Sequence, residues 1–301
     1  MNVTDIEAGA AAFVDQLRRL PIVRELGAEI DAQLRRCPTR LNEYDYDRWG
    51  LHPGVVARAA IITGLWYRYW FRAETHGIEH LPTGRMLLIA NHAGQVALDA
   101  AMIGAGMLLD ADPPRIVRGM GEYWLPTVPF VNIAMVRTGS VVGTRKNCVD
   151  LLEADECVIA FPEGIRGMNK LFSERYQLQR FGLGFMRLAL ETRAPIVPVA
   201  VVGSEEQAPA IANLTWLARL LQMPAFPITP TWPLLGPLGL IPLPVKYHIY
   251  FGEPVTFEGY HNDGDEIIGE KVDQVKDRIR SMIEIGLAER RQRGAISGIF
   301  R

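Results

Sequence analysis

Much that would mark a secreted, membrane-spanning or strongly charged protein is missing. There are only three cysteines, Cys37, Cys148 and Cys157. Their number is odd and none is spaced C-x-x-C, so neither a disulfide framework nor a cysteine zinc site is expected, and a reducing, cytoplasmic setting is. Charge of one sign is also lacking. The chain has 32 basic and 34 acidic residues, a net charge of −2. A dedicated nucleic-acid binder usually shows a basic excess. A spanning helix needs about 20 apolar residues in a row, and no such run is present. Asp5, Glu7 and Asp15 near the start argue against a secretory signal. The motifs G-x-S-x-G, G-x-x-x-x-G-K-[ST], H-E-x-x-H and a post-strand G-x-G-x-x-G are all absent. Hydrolase, P-loop, zincin and dinucleotide-binding readings therefore have no motif behind them.

What is present is an ordinary globular composition: 301 residues, 49% apolar and 22% charged. That length suits one large α/β domain or two small ones. Mean hydropathy is slightly positive, at +0.06. Part of the excess sits in two places. Leu220–Val245 is 26 residues without a charge, but seven of them are proline. Proline removes a helix hydrogen bond and clashes with the preceding turn, so this run packs on the protein or lies at a surface. Leu51–Arg72 has Arg58, Arg68 and Arg72, no acid, and Trp66, Tyr67, Tyr69, Trp70 and Phe71. That mixture suits a helix at a membrane interface. It equally suits a helix packed on its neighbour by the aromatic side.

Three regions follow one another without internal repeats. Residues 1–72 read as a helical region, with Ile6, Ala10, Phe13, Val14 and Leu17 at helical spacing and Pro21 and Pro38 as punctuation. The stretch Pro38–Trp49 reads as loop. Residues 73–258 alternate strands and helices. The strands are Met86–Asn91, Cys157–Phe161, Ile196–Val202 and Lys246–Phe251; the helices are Asp99–Leu109, Cys148–Asp155 and Gly182–Thr192. This predicts an α/β core with a mixed, largely parallel sheet covered by helices. Residues 259–301 predict an amphipathic helix packed on that core, through Ile268, Val272, Val275, Ile279 and Met282.

Two short segments and their surroundings carry chemistry. In IANHAGQVALDAAM, His92 follows a strand and Asp99 comes seven residues later. The carboxyl edge of a sheet is where open α/β folds place their sites. A histidine beside a carboxylate suits a general base. Within one helix, seven positions span roughly 10 Å, so the pair can meet only if the chain turns, as Gly94 would allow. The plainer alternative is a buried or capping histidine and an unrelated aspartate at a helix start. In FPEGIRG, a strand runs into Pro162, Glu163, Gly164 and Arg166, a shaped loop suited to phosphate or a polar acceptor. The alternative is a turn with a solvated ion pair. Residues 115–146 and 164–193 hold eleven basic residues against three acids. Focused positive charge favours an anionic ligand, although any single arginine can belong to a solvated helix face.

In this order the pieces resemble the phospholipid/glycerol acyltransferase superfamily, including its lysophospholipid and monoacylglycerol-acyltransferase-like branches. Four blocks carry the resemblance: NHAGQVALD, GSVVGTR (Gly139–Arg145), FPEGIRG and APIVPVAVVG (Ala194–Gly203). It covers roughly residues 73–258. The first block departs from the family, which most often has four residues between His and Asp; six stand here. Ile165 replaces the usual threonine, and Gly143 a usual bulky apolar residue. The resemblance implies transfer of a fatty acyl group from acyl-CoA or acyl carrier protein to a lipid hydroxyl. His92 would be the base and Asp99 its orienting acid. Glu163, Gly164 and Arg166 would position the acceptor, and Arg145 would contact phosphate. No metal and no cofactor beyond the thioester donor is implied. The partners would be the donor, a lipid acceptor and the cytoplasmic face of a membrane, held peripherally or monotopically. The longer spacing motivates a rival, an inactive lipid-binding or scaffold protein on the same fold. A thioesterase acting without acceptor is a third reading.

Overall fold

The computed structural model describes residues 3–93, 97–123, 131–220 and 226–292. Gly94 lies outside them, as do residues 221–225 of the proline-rich run. The strands are β1 (Glu74–His76), β2 (Met86–Ala90), β3 (Val117–Gly121), β4 (Val141–Val142), β5 (Cys157–Ala160), β6 (Ile196–Val202), β7 (Ala212–Asn213), β8 (Pro227–Ile228) and β9 (His248–Phe251). The α-helices are α1 (Val3–Leu17), α2 (Pro21–Arg36), α3 (Pro53–Leu65), α4 (Leu98–Leu109), α5 (Val131–Arg137), α6 (Arg145–Glu153), α7 (Ile165–Met168), α8 (Gly184–Thr192), α9 (Thr215–Leu220) and α10 (Asp265–Gln292).

The apolar runs read from sequence form the centre of a seven-stranded sheet ordered β1-β9-β6-β2-β5-β3-β4. Every residue of β2, β6 and β9 is buried. Five pairings are parallel, and β6–β9 is antiparallel. The sheet is therefore mixed and mostly parallel. Side chains alternate across it. Met86, Leu88, Ala90, Val197, Val199, Val201, Ile249 and Phe251 face a core shared with α1–α4. Leu87, Ile89, Ala200, Val202 and Tyr250 face α6, α8 and α10. Close approach of α10 requires Gly286: a Cβ there would lie 2.7 Å from the Tyr250 ring and 2.9 Å from Val202.

The long tail helix arises from the spacing that predicts it, with Ile268, Val272, Val275 and Ile279 all buried. Elsewhere the element ends move. Helix α6 begins at Arg145, three residues before the expected start, because Thr144 caps it by accepting Asn147 N–H at 3.1 Å. Strands β1, β3 and β4 fall outside the expected set. The first is polar, the second contains an arginine and two glycines, and the third is two residues long.

Of the two readings open for Leu51–Arg72, the fold shows the packing on neighbouring helices, and most of the segment's large apolar side chains turn inward. Leu51, Val56, Ile61, Tyr67 and Phe71 are buried, and α3 packs on α2 and α4. Tyr69 and Trp70 turn outward. Trp70 then meets the proline-rich run, its indole N–H donating to Pro242 O at 3.0 Å. Between residues 234 and 241 that run holds leucines and an isoleucine in water: Leu234 is 83% exposed and Leu238 69%, with Leu235, Leu240 and Ile241 exposed as well. Among the described residues no helix is long and apolar enough to cross a membrane.

A buried ion cluster fastens the loop after α2 to the sheet. On β3, Arg118 is almost wholly buried. It donates to Asp47 at 2.5 Å and to Glu156 at 2.9 and 3.0 Å. The other Asp47 oxygen accepts the N–H groups of Trp49 and Leu51. Removing one partner of a buried ion pair strands the other charge and costs roughly 3–5 kcal/mol. Asp47→Ala should therefore lower unfolding stability by about 3 kcal/mol. Urea titration checks this, and an unchanged midpoint would refute the role given to Asp47.

Candidate active site

Three loops converge where β2, β5 and β6 end. The side-chain amide of Asn91 extends the pairing of β2 with β6: its oxygen accepts Val201 N–H at 2.8 Å and its nitrogen donates to Val201 O at 3.1 Å. The chain then leaves the sheet at His92. His92 and Asp99 are both buried, with Nδ1 2.8 Å from Asp99 Oδ2. The pair is formed across a loop, not along a helix, because α4 starts only at Leu98. Asp99 is fixed in turn. Its Oδ2 accepts Ala93 N–H at 3.0 Å, and its Oδ1 accepts Ala100 N–H at 2.8 Å. The first turn of α4 also favours a negative charge.

A carboxylate at Nδ1 fixes the neutral imidazole with its proton on that nitrogen. Nε2 is then the basic atom. The ring lies on Phe161, centroids 4.2 Å apart and planes 27° from parallel. Among the described residues no hydrogen bond reaches Nε2.

Glu163 is placed differently from the acceptor contact expected of it. It is buried, and its Oε1 accepts His92 N–H at 3.0 Å while Oε2 accepts Gln179 N–H at 2.7 Å. Its carboxylate faces the histidine loop. Gly164 takes φ +57° and ψ −148°, a region essentially restricted to glycine, and this turns the chain from β5 into α7. Arg166 is exposed on α7 and has no carboxylate partner among the described residues. The same holds for Arg180, next to Gln179. Arg145, expected at a phosphate, instead forks onto Glu191 at 2.6 and 2.9 Å on the surface.

Much of the positive charge counted along the sequence is engaged within the fold. Arg115 donates to backbone carbonyls of Gly84 and Asp155, Arg118 pairs with Asp47 and Glu156, and Lys146 pairs with Asp150. Lys170 is buried against Glu205 at 2.9 Å and lies 3.6 Å from Glu163. Burial pushes the Glu205 carboxyl above its ordinary range, and Lys170 opposes that push.

Phe161 and Gly167 bound the FPEGIRG block and Lys170 belongs to the basic stretch beside it, but the sequence assigns none of them a role in the site, and Glu205 stands outside both. A Cβ on Gly167 would come within 2.8 Å of Glu163 Cβ and 2.9 Å of His92 O. The two loops can touch only because residue 167 has no side chain. The closing glycine of FPEGIRG and the basic stretch that holds Lys170 are the signals the sequence offers, while nothing local to Glu205 marks it.

Comparison with known proteins sets this geometry in a family. The family model described as Acyltransferase matches residues 72–202, which include His92, Asp99, Arg145, Glu163 and Arg166. An uncharacterized Mycobacterium leprae protein is 40% identical over 257 residues, covering 83% of this chain and 70% of the relative. A Mycobacterium bovis protein, also uncharacterized, is 38% identical with 83% and 71% covered. The Bos taurus DGAT1/2-independent enzyme synthesizing storage lipids is 22% identical over 234 residues, 76% of this chain and 64% of that protein. In fold, the chain is similar to the 1-acyl-sn-glycerophosphate acyltransferase PlsC from Thermotoga maritima. The TM-score is 0.52 at 17% identity, over 77% of this chain and 80% of that one. The family model, the relatives and the mixed sheet agree: the chain belongs to the phospholipid/glycerol acyltransferase superfamily, the O-acyltransferases of the glycerolipid type.

Proposed function

We propose that this chain moves a fatty acyl group from an acyl thioester, acyl-CoA or acyl carrier protein, to a hydroxyl of a glycerolipid or lysophospholipid at the cytoplasmic face of a membrane. The observation that carries the reading is the 2.8 Å contact between His92 Nδ1 and Asp99 Oδ2. The longer spacing that motivates an inactive relative is absorbed by the loop, so it gives that rival little support.

In this reading His92 Nε2 takes the proton of the acceptor hydroxyl as its oxygen attacks the thioester carbonyl. Asp99 steadies the imidazolium that forms. The tetrahedral adduct collapses, the C–S bond breaks, and the imidazolium returns its proton to the leaving sulfur. No acyl-enzyme is needed. Glu163 holds the histidine loop in place, and Arg166 and Arg180 offer guanidinium groups to an anionic headgroup or donor phosphate. The exposed leucines from Leu234 to Leu243, with Tyr69 and Trp70 beside them, rest on the lipid surface. They are anchored at the sheet edge that bears His92, since Leu243 N–H donates to Gln207 O just beyond β6.

Base catalysis of this kind contributes roughly 10²–10⁴-fold. His92→Ala should therefore cut acceptor-dependent thiol release from acyl-CoA by about that factor, and an unchanged rate would remove the mechanism. Thiol release that needs no acceptor would favour a thioesterase. Arg166→Ala should raise KM for an anionic lysophospholipid about tenfold while leaving a neutral monoacylglycerol within a few-fold, because a charged hydrogen bond contributes roughly 1.5–3 kcal/mol. Equal effects on both acceptors would deny Arg166 the headgroup. Burying one leucine contributes roughly 1.5–3 kcal/mol. The double change Leu238→Asp and Leu240→Asp should thus weaken vesicle binding by more than tenfold in a sedimentation assay, and undiminished binding would move the membrane contact elsewhere.

A further inference from the structure

Away from the histidine loop, the outer edge of the sheet gathers two imidazoles and a carboxylate. Glu74 and His76 lie two residues apart on β1, so they share a face of the strand. The parallel register with β9 sets Glu74 opposite His248 and His76 opposite Tyr250. His76 Nε2 is 3.4 Å from His248 Nδ1, and His248 Nδ1 is 3.4 Å from Glu74 Oε2. One ligand atom from each residue lies within 4.8 Å of the others. The His76 ring is held by stacking on Tyr250, with centroids 4.5 Å apart, and the His248 ring by burial.

The two 3.4 Å separations match those of a coordination sphere. Bonds of about 2.0–2.1 Å at a tetrahedral zinc ion put neighbouring ligand atoms about 3.4 Å apart. Two imidazoles with one carboxylate suit zinc, cobalt or nickel. They do not suit magnesium or calcium, which take oxygen ligands. Lys246 pairs with Oε1 of Glu74, while Oε2 is the oxygen turned towards His248. The Glu74 side chain is 38% exposed, which gives an ion a way in and water a fourth position.

We propose that Glu74, His76 and His248 bind one divalent transition-metal ion of the zinc type, which staples the three-residue edge strand β1 to β9. The site departs from the expectation of no metal, which rested on the family resemblance; the cysteine spacing argued only against a cysteine zinc site. It is also distinct from the acyl-transfer site. His248 pairs with Val202 on β6, and β9 is two strands from β2, about 10 Å at ordinary strand spacing.

The test uses the full chain, stripped with chelator and titrated with Co²⁺ and then Zn²⁺. Visible absorption reports four-coordinate cobalt, and thermal melting reports the staple. The expected result is one equivalent of Co²⁺ per chain, displaced by Zn²⁺, with a metal-dependent rise in melting temperature. His76→Gln and Glu74→Gln should each weaken binding at least tenfold and abolish the rise. Neither side chain is fully buried, and the metal-free melts of both variants check that they fold. His80→Gln, on an exposed histidine outside the cluster, should bind like the parent. No bound equivalent, or equal affinity in the parent and both cluster variants, overturns the proposal. The first outcome would leave a hydrogen-bonded His–His–Glu cluster, and the second would put the ion elsewhere.

Discussion

A carboxylate shut away from water has to be satisfied by its surroundings, and the geometry around His92 follows from how Glu163 is satisfied. Two backbone N–H groups, from His92 and Gln179, point at its oxygens, and the Lys170 ammonium stands 3.6 Å away. Leaving such a charge unpaired in the interior would cost several kcal/mol. The carboxylate therefore draws three chain segments to one point: the end of β2, the turn after β5 and the loop before α8. Lys170 is shared with Glu205, so the network reaches the segment that follows β6. The histidine does not stand on a flexible loop by itself. It is gripped by its ring through Asp99 and Phe161 and by its backbone through Glu163.

The sheet sets what lies near that point. Its parallel strands β2, β5 and β6 deliver their carboxyl ends to one edge, which is where the loops meet. The return of β9 in the opposite sense brings the proline-rich run back to the same edge just before His248. An apolar surface and a polar reaction centre are thus side by side because of strand direction.

A good part of this was legible in the chain. Continuous apolar runs such as MLLIA and IVPVAVV are buried on both faces and announce central strands. Edge strands carry no such signal: Glu74–His76 is polar because one side meets solvent, and Val117–Gly121 carries Arg118, whose burial is made tolerable by Asp47, 71 residues away. The candidate site divides in the same way. His92 and Glu163 are visible as residue types after strand ends, and Asp99 as an acid at the head of a helix. The direction of Glu163, inward to a backbone amide, was not, because it depends on Lys170 and Gln179 folding over it. Basic residues counted along the sequence overstated the free charge, since their acidic partners are distant in sequence, as Arg118 with Glu156 and Arg145 with Glu191 show.

The loop between His92 and Asp99 has a consequence for how motifs tolerate change. Both of its ends are fixed, one by Asn91 on Val201 and the other by the start of α4. Closing a chain between fixed ends costs entropy that grows only as the logarithm of its length. Lengthening it from four intervening residues to six adds about 0.4 kcal/mol. Selection on stability alone would scarcely register such an insertion. On stability alone, a protein of this fold could therefore carry a longer or shorter segment between the two members of the pair and still keep the pair. In this chain the place of the histidine is set by the anchor before it, the Asn91 amide on Val201, and not by the count of residues to Asp99.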